Sequence, residues 1–135
     1  MRNLIINCDG GSRGNPGKAG VGIVVRNENN EIIKEHCERI GVKTNNEAEY
    51  YALIKALELA GDYSGEEVLV YMDSELVIRQ LNGEYKVKAE HLLSLFEEVK
   101  ELERKFEKIG YKNVSREDKF QVIADRLVNE ALDAG

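Results

Sequence analysis

Residues 3–20 read NLIINCDGGSRGNPGKAG, and the break in the middle of this stretch decides the fold. Up to position 9, Leu4, Ile6 and Cys8 alternate with Ile5 and Asn7, the period of a β-strand. Asp9 stands where the apolar run ends. Five glycines and the chain's single proline then crowd into residues 10–20. They read as a turn-dense loop that lets backbone come close to something else. A strand that ends on a carboxylate and hands over to glycine is typical of open α/β sheets, whose ligand sites lie beyond the strand ends.

Working outward, VGIVVR at 21–26 and EIIKEHCER at 31–39 read as two further strands, with a hairpin signal at 27–30. The first three strands therefore form an antiparallel meander. From Asn46 the period changes: Leu53, Ala56, Leu57 and Ala60 recur at helical spacing, with an Asn cap before them and Gly61 after. EVLVYM at 67–72 is a buried strand that ends at Asp73. Ser74 caps a short helix through Leu81, which Gly83 closes.

Leu92, Leu95, Phe96, Val99 and Phe106 mark a long helix with Glu and Lys on its outer face. A short strand around Tyr111–Val114 precedes the last helix. That helix buries Ala124, Leu127 and Ala131, with Asp125 in its first turn. The order βββ-α-β-α-α-β-α predicts an α/β fold, a mixed sheet with helices packed on it. Residues 1–135 read as a single domain without repeats or low-complexity tracts.

The net charge of −6 over 135 residues argues against a broad basic face coating a polyanion and against binding to an anionic membrane. It leaves open a nucleic-acid enzyme whose acidic site works through divalent cations. The start, MRNLIINCDG, turns polar too soon for a signal peptide, and no window approaches the roughly 18 apolar residues of a membrane helix. Cys8 and Cys37 make a poor disulfide framework. They read as reduced core residues of an intracellular, cytoplasmic protein.

The chemistry lies in the acids. Asp9 and Asp73 each end a strand, and Glu49 lies in the first turn of the helix after the third strand. Parallel pairing of the first and fourth strands would set Asp9 beside Asp73. Carboxylates that close repel one another, and Mg²⁺ or Mn²⁺ is the natural counter-charge for hard oxygen ligands. No His/Cys cluster offers a softer-metal alternative. Taken singly, each feature has an ordinary reading. A strand-ending Asp is commonly a turn or cap residue, and Asp125 a charge near a helix N-terminus. Lys86 and Lys88 read equally as a solvated face.

Four segments carry a resemblance: DGGSRGNPG at 9–17, TNNEAEYYALIKAL at 44–57, YMDSELVIRQLNGEYKVKAEHL at 71–92 and ADRLVNEAL at 124–132. Together they resemble type 1 ribonuclease H, in its compact archaeal and bacterial branch. The resemblance implies a ribonuclease H-like fold: a five-stranded mixed sheet, three-strand antiparallel meander plus parallel strands, flanked by about four helices. It implies hydrolysis of the RNA strand of an RNA/DNA hybrid, leaving 3′-hydroxyl and 5′-phosphate ends.

Two Mg²⁺ ions, with Mn²⁺ as a substitute, would sit about 3.5–4 Å apart as in other two-metal sites. Asp9 would bridge them, one held mainly with Asp125 and the other with Glu49 and Asp73. The family pattern Asn-Asn-x-x-Glu selects Glu49 over Glu47, and residues two apart on a helix point to nearly opposite faces, leaving Glu47 to solvent. By the same resemblance, Gly10, Gly11, Asn15, Asn45, Asn46 and Glu75 read the ribose 2′-hydroxyl, the group that separates RNA from DNA. Thr44 and Lys86 or Lys88 would hold phosphates of the DNA strand.

Three departures stand out. Glu75 occupies a position where the family usually has Gln. The loop VSREDKFQVIAD lacks the His many members carry there, and His36 and His91 lie elsewhere, so turnover should depend on metal exchange. No long basic insertion or separate hybrid-binding domain is present, so affinity should be modest and salt-dependent. The expectation is a monomeric enzyme. The alternatives are a non-catalytic or weakly active nucleic-acid-binding relative and an ATP-binding module of the sugar-kinase/actin type, which needs two related domains.

Overall fold

The computed structural model describes residues 3–63 and 66–134. The strands are β1 (Asn3–Gly14), β2 (Gly17–Arg26), β3 (Ile32–Lys43), β4 (Glu67–Met72) and β5 (Lys108–Asn113). The helices are α1 (Asn45–Asp62), α2 (Glu75–Leu81), α3 (Glu90–Glu103) and α4 (Lys119–Asp133). They follow the predicted order. The sheet order is β3-β2-β1-β4-β5, with β1–β2 and β2–β3 antiparallel and β1–β4 and β4–β5 parallel.

The alternation of β1 divides its side chains between two layers. Leu4, Ile6 and Cys8 join the main core, which α1 and α3 complete with Leu53, Leu57, Leu92 and Val99. Asn7 faces α4 on the other side through Gln121. There the smaller apolar cluster is Val24 against Ala124 and Leu127. Helices α1, α2 and α3, the second through Val77, Ile78 and Leu81, thus bury their apolar faces on one side of the sheet, and α4 covers part of the other.

Several local readings are corrected. The glycine-rich stretch at 10–20 is not a loop: β1 and β2 stay paired down to Gly14 and Gly17, leaving Asn15 and Pro16 as the turn. Gly14, at φ +101°, is a turn glycine that needs its conformational freedom. Gly10 lies inside the strand because a helix backbone passes over it.

The cap of α1 is Thr44 rather than an Asn. Glu47 completes a capping box with it instead of facing solvent: Thr44 N–H donates to Glu47 Oε1 at 2.8 Å and Glu47 N–H to Thr44 Oγ1 at 3.1 Å. The helix then runs through Gly61. Because α1 starts at Asn45 and Asp118 caps α4, Glu49 and Asp125 fall in second turns rather than first. Phe106 lies beyond the end of α3 and enters the core from the following turn.

Candidate active site

The acids meet where the parallel pairing of β1 and β4 stops: Asp73 follows the last residue of β4, whereas Asp9 does not end its strand, since β1 continues along β2 to Gly14. β1 and β4 run in register from Asn3 opposite Glu67 to Asn7 opposite Tyr71. Two further residues on each strand bring the chain to Asp9 and Asp73. The other two acids arrive on helices from opposite faces, and a glycine makes room for each.

A methyl group on Gly10 would overlap the carbonyl oxygen of Ala48 and stand 2.8 Å from Glu49 N, so α1 can lie this close only over glycine. On the other face, Gly22 is the cross-strand partner of Asp9. A methyl group there would overlap Ala124 O and stand 2.8 Å from Leu127 Cβ. The residue after Ala48 is Glu49, and the residue after Ala124 is Asp125. The two close approaches thus bring an acid-bearing helix from each face down onto the sheet beside Asp9.

Asp9, Glu49, Asp73 and Asp125 line one cavity of about 390 Å³. Burial raises Asp9 from its ordinary value of 3.8 to about 8, helped by repulsion from Asp73, Asp125 and Glu49. Burial likewise raises Glu49 to about 7, with a hydrogen bond from Ser74 pulling it down and Asp73 pushing it up. Ser74 also caps α2, accepting from Val77 N–H at 3.4 Å. One hydroxyl can accept there and still donate to Glu49.

These side chains fit a hard divalent cation. The donors are carboxylate oxygens, suited to Mg²⁺ or Mn²⁺, and burial first, then mutual repulsion, disfavours their bare charges. Among the described residues no group of three or more His, Cys, Asp or Glu is drawn together closely enough to hold a metal ion by itself. The acids line a wall instead, as suits a site shared with a substrate.

The expected substrate contacts divide. Gly10, Gly11 and Asn45 line the same cavity. Asn15 lies just outside and orients Asn45: its Oδ1 accepts from Asn45 N–H at 3.0 Å, and Asn45 Oδ1 accepts from Ser12 N–H at 3.3 Å. Thr44 is the cap of α1, and Asn46 follows in the first turn without reaching the cavity wall. Glu75 lies outside the cavity in an ion pair with Arg79 at 2.8 Å. Lys86 and Lys88 are exposed between α2 and α3, also outside it.

Sequence reasoning missed Ser12, Arg13, Ser74 and Asn129 on the cavity wall, and left Arg116 without a role. The buried Ser12 Oγ has no hydrogen-bond partner within the protein. Asn129 stands one turn after Asp125, and its Nδ2 donates to Asp125 O at 3.2 Å. That i, i+4 spacing was a signal the sequence did carry.

The family model described as reverse transcriptase-like matches residues 7–131. The bifunctional protein Rv2228c of Mycobacterium tuberculosis is 43% identical over 132 residues, 97% of this chain and 36% of that protein. The chain therefore spans about a third of that relative's length. The solved N-terminal RNase H domain of Rv2228c superposes with TM-score 0.94 at 42% identity, covering 99% of this chain and 96% of that one. The RNase H1 of Halobacterium salinarum gives TM-score 0.94 at 38% identity, covering 98% and 99%. LC11-RNase H1, solved in complex with an RNA/DNA hybrid, gives 0.91 at 41% identity, covering 97% of each chain. With its five-stranded mixed sheet and helices superposing on these proteins at TM-scores of 0.91 to 0.94 and identities of 38% to 42%, the chain belongs to the type 1 ribonuclease H family of enzymes.

Proposed function

We propose that residues 1–135 act as one catalytic domain that hydrolyses the RNA strand of RNA/DNA hybrids, leaving 3′-hydroxyl and 5′-phosphate ends. The observation that carries this reading is the convergence of four carboxylates, from β1, α1, the end of β4 and α4, on one open cavity. The relationship to LC11-RNase H1, solved on a hybrid, supports the choice of substrate.

Asp9, Glu49, Asp73 and Asp125 would hold two Mg²⁺ ions, with Mn²⁺ as a substitute. Bound there, such ions acidify an attacking water and stabilise the oxygen that leaves. The chain's own groups do the rest. Gly11 keeps its part of the floor free of a side chain, so a sugar-phosphate backbone can come down to the acids, while Gly10 admits α1 and its Glu49. Asn45, with Oδ1 engaged by Ser12 N–H, has its amide nitrogen to offer a 2′-hydroxyl oxygen. Ser12 Oγ supplies a buried hydroxyl that lacks a protein partner. Arg116 brings a guanidinium to the cavity edge for the phosphate. Glu75 is paired with Arg79, so its negative charge is locally offset. The same reading has a monomer acting in the cytoplasm. No helix among the described residues is long and apolar enough to cross a membrane.

The test is cleavage of an end-labelled RNA/DNA hybrid in Mg²⁺, in Mn²⁺ and in EDTA, with Asp73→Asn as control. Cleavage in either metal that EDTA and the substitution abolish is the expected result. A hybrid retained in a gel shift but intact in both metals would replace the enzyme with a binding module.

A further inference from the structure

Behind the acidic cavity lies a chain of buried polar side chains that metal binding and substrate contact do not explain. Asn7 and Gln121 are 0% and 1% exposed, and Arg26 is 5% exposed. Arg26 Nη2 donates to Asn7 Oδ1 at 2.9 Å. Asn7 Nδ2 donates to Gln121 Oε1 at 3.1 Å, with Asp118 Oδ1 at 3.4 Å. Gln121 Nε2 donates to Cys8 O at 2.9 Å and reaches Asp73 Oδ1 at 3.5 Å. Arg26 is itself held by Asn30 Oδ1 at 2.9 Å and by the Phe120 ring, 3.7 Å from its guanidinium carbon.

The direction of this chain is set by its ends. A guanidinium has only donors and an ionised carboxylate only acceptors. Arg26 must therefore take the oxygen of Asn7, which turns the amide nitrogen of Asn7 toward Gln121. Gln121 must in turn present its oxygen to Asn7 and its nitrogen to Asp73. Each amide has one productive orientation, and reversing either would set acceptor against acceptor in a buried site, a costly arrangement.

Gln121 also lies four residues before Asp125, on the same side of α4. Its bond to the backbone of Cys8 ties that side of the helix to the residue before Asp9. We infer that Gln121 is a positioning residue for the acidic site. It fixes the orientation of the Asp73 carboxylate and the seating of α4, and therefore of Asp125, while Asn7 and Arg26 set the direction of its amide.

The inference rests on the proposed hydrolysis, and the experiment separates the two. In ¹⁵N-labelled protein, the side-chain amide of Gln121 is followed by NMR, Mg²⁺ affinity is measured by calorimetry, and kcat and KM are measured on the hybrid. Gln121→Met keeps the volume and removes the donor. Asn7→Asp keeps a partner for Arg26 but presents an acceptor to Gln121, so the amide must turn its oxygen toward Asp73.

The expected result is a shifted Gln121 amide resonance in Asn7→Asp and in Asp73→Asn. Both Gln121→Met and Asn7→Asp should lose about 10-fold or more in Mg²⁺ affinity or kcat, as removal of outer-shell partners does elsewhere, with KM for the hybrid unchanged. If both variants lower the melting temperature but keep Mg²⁺ affinity and kcat within about twofold, well short of the outer-shell effect, the chain is a structural pin and the inference falls. If Gln121→Met does not fold, Asn7→Asp decides alone, since an unmoved amide resonance in it overturns the relay. A wild-type chain that binds Mg²⁺ without cutting hybrid sinks the function, while the amide shifts and the calorimetry still judge the relay.

Discussion

At the start of α1, Glu47 turns back to close a capping box with Thr44, while Glu49 turns into the acidic cavity. Two residues of helix separate a stabilising role from the proposed chemical one. Glu47→Ala should cost about 1 kcal/mol, the usual value of a missing cap, and leave hybrid cleavage intact. Glu49→Gln should abolish most cleavage and raise the melting temperature of the metal-free protein at pH 8, because it removes a charge that burial and Asp73 disfavour. Calorimetry and a cleavage assay on both variants check the pair; the reverse pattern would assign the ligand to Glu47. The choice of Glu49 was legible in the Asn-Asn-x-x-Glu spacing. The cap was not, because Thr and Asn both cap well and only the backbone angles at Thr44 select it.

Elements come together here through glycine. Gly10 lets α1 lie on one face of β1, and Gly22 lets α4 lie on the other face of β2, each directly beside a proposed ligand. Gly10→Ala and Gly22→Ala should each cost about 1–3 kcal/mol, as overpacking does. Cleavage should fall further than the smaller folded fraction explains, because Glu49 or Asp125 moves with its helix. Urea midpoints and cleavage measured well below the melting temperature separate the two effects. Cleavage that tracks the folded fraction alone would mean that helix seating does not control the site. Sequence reading placed every element in order but took residues 10–20 for a loop. Glycine marks turns and close approaches alike, and only the helices above Gly10 show which it is. It also set Asp125 in a first turn, because the cap at Asp118 lies seven residues earlier, in a loop with no helical period to announce it.

Over the whole molecule, acidity governs stability as well as binding. Asp9 and Glu49 have folded-state values raised above their ordinary 3.8 and 4.5. The native state therefore holds protons that the unfolded chain has released, and stability falls as pH rises from about 4 to about 8. Glu38 and Glu47 are shifted downward from 4.5. Their contribution changes below about that value and is constant between pH 5.5 and pH 8. Metal-free protein should melt lower at pH 8 than at pH 5.5, and Mg²⁺ should raise the melting temperature more at pH 8, where protons compete less. A melting temperature that rises over this range without metal would contradict the assignment.

With a net charge of −6, hybrid binding must draw on local cations. Lys86→Gln with Lys88→Gln should weaken binding and lower the slope of log affinity against log salt by about 1 for each phosphate that a lysine no longer neutralises. An unchanged slope would leave both lysines as a solvated face. The sequence by itself determined the order of elements, since strand and helix periods are local patterns, and its resemblance to a known family singled out the four acids proposed for the site. Only the tertiary structure decided which glycines admit a helix, that Glu75 lies outside the cavity, and that Arg26, Asn7 and Gln121 form one directed chain. Those facts join residues up to 114 positions apart, and no local pattern records an interaction made across that separation.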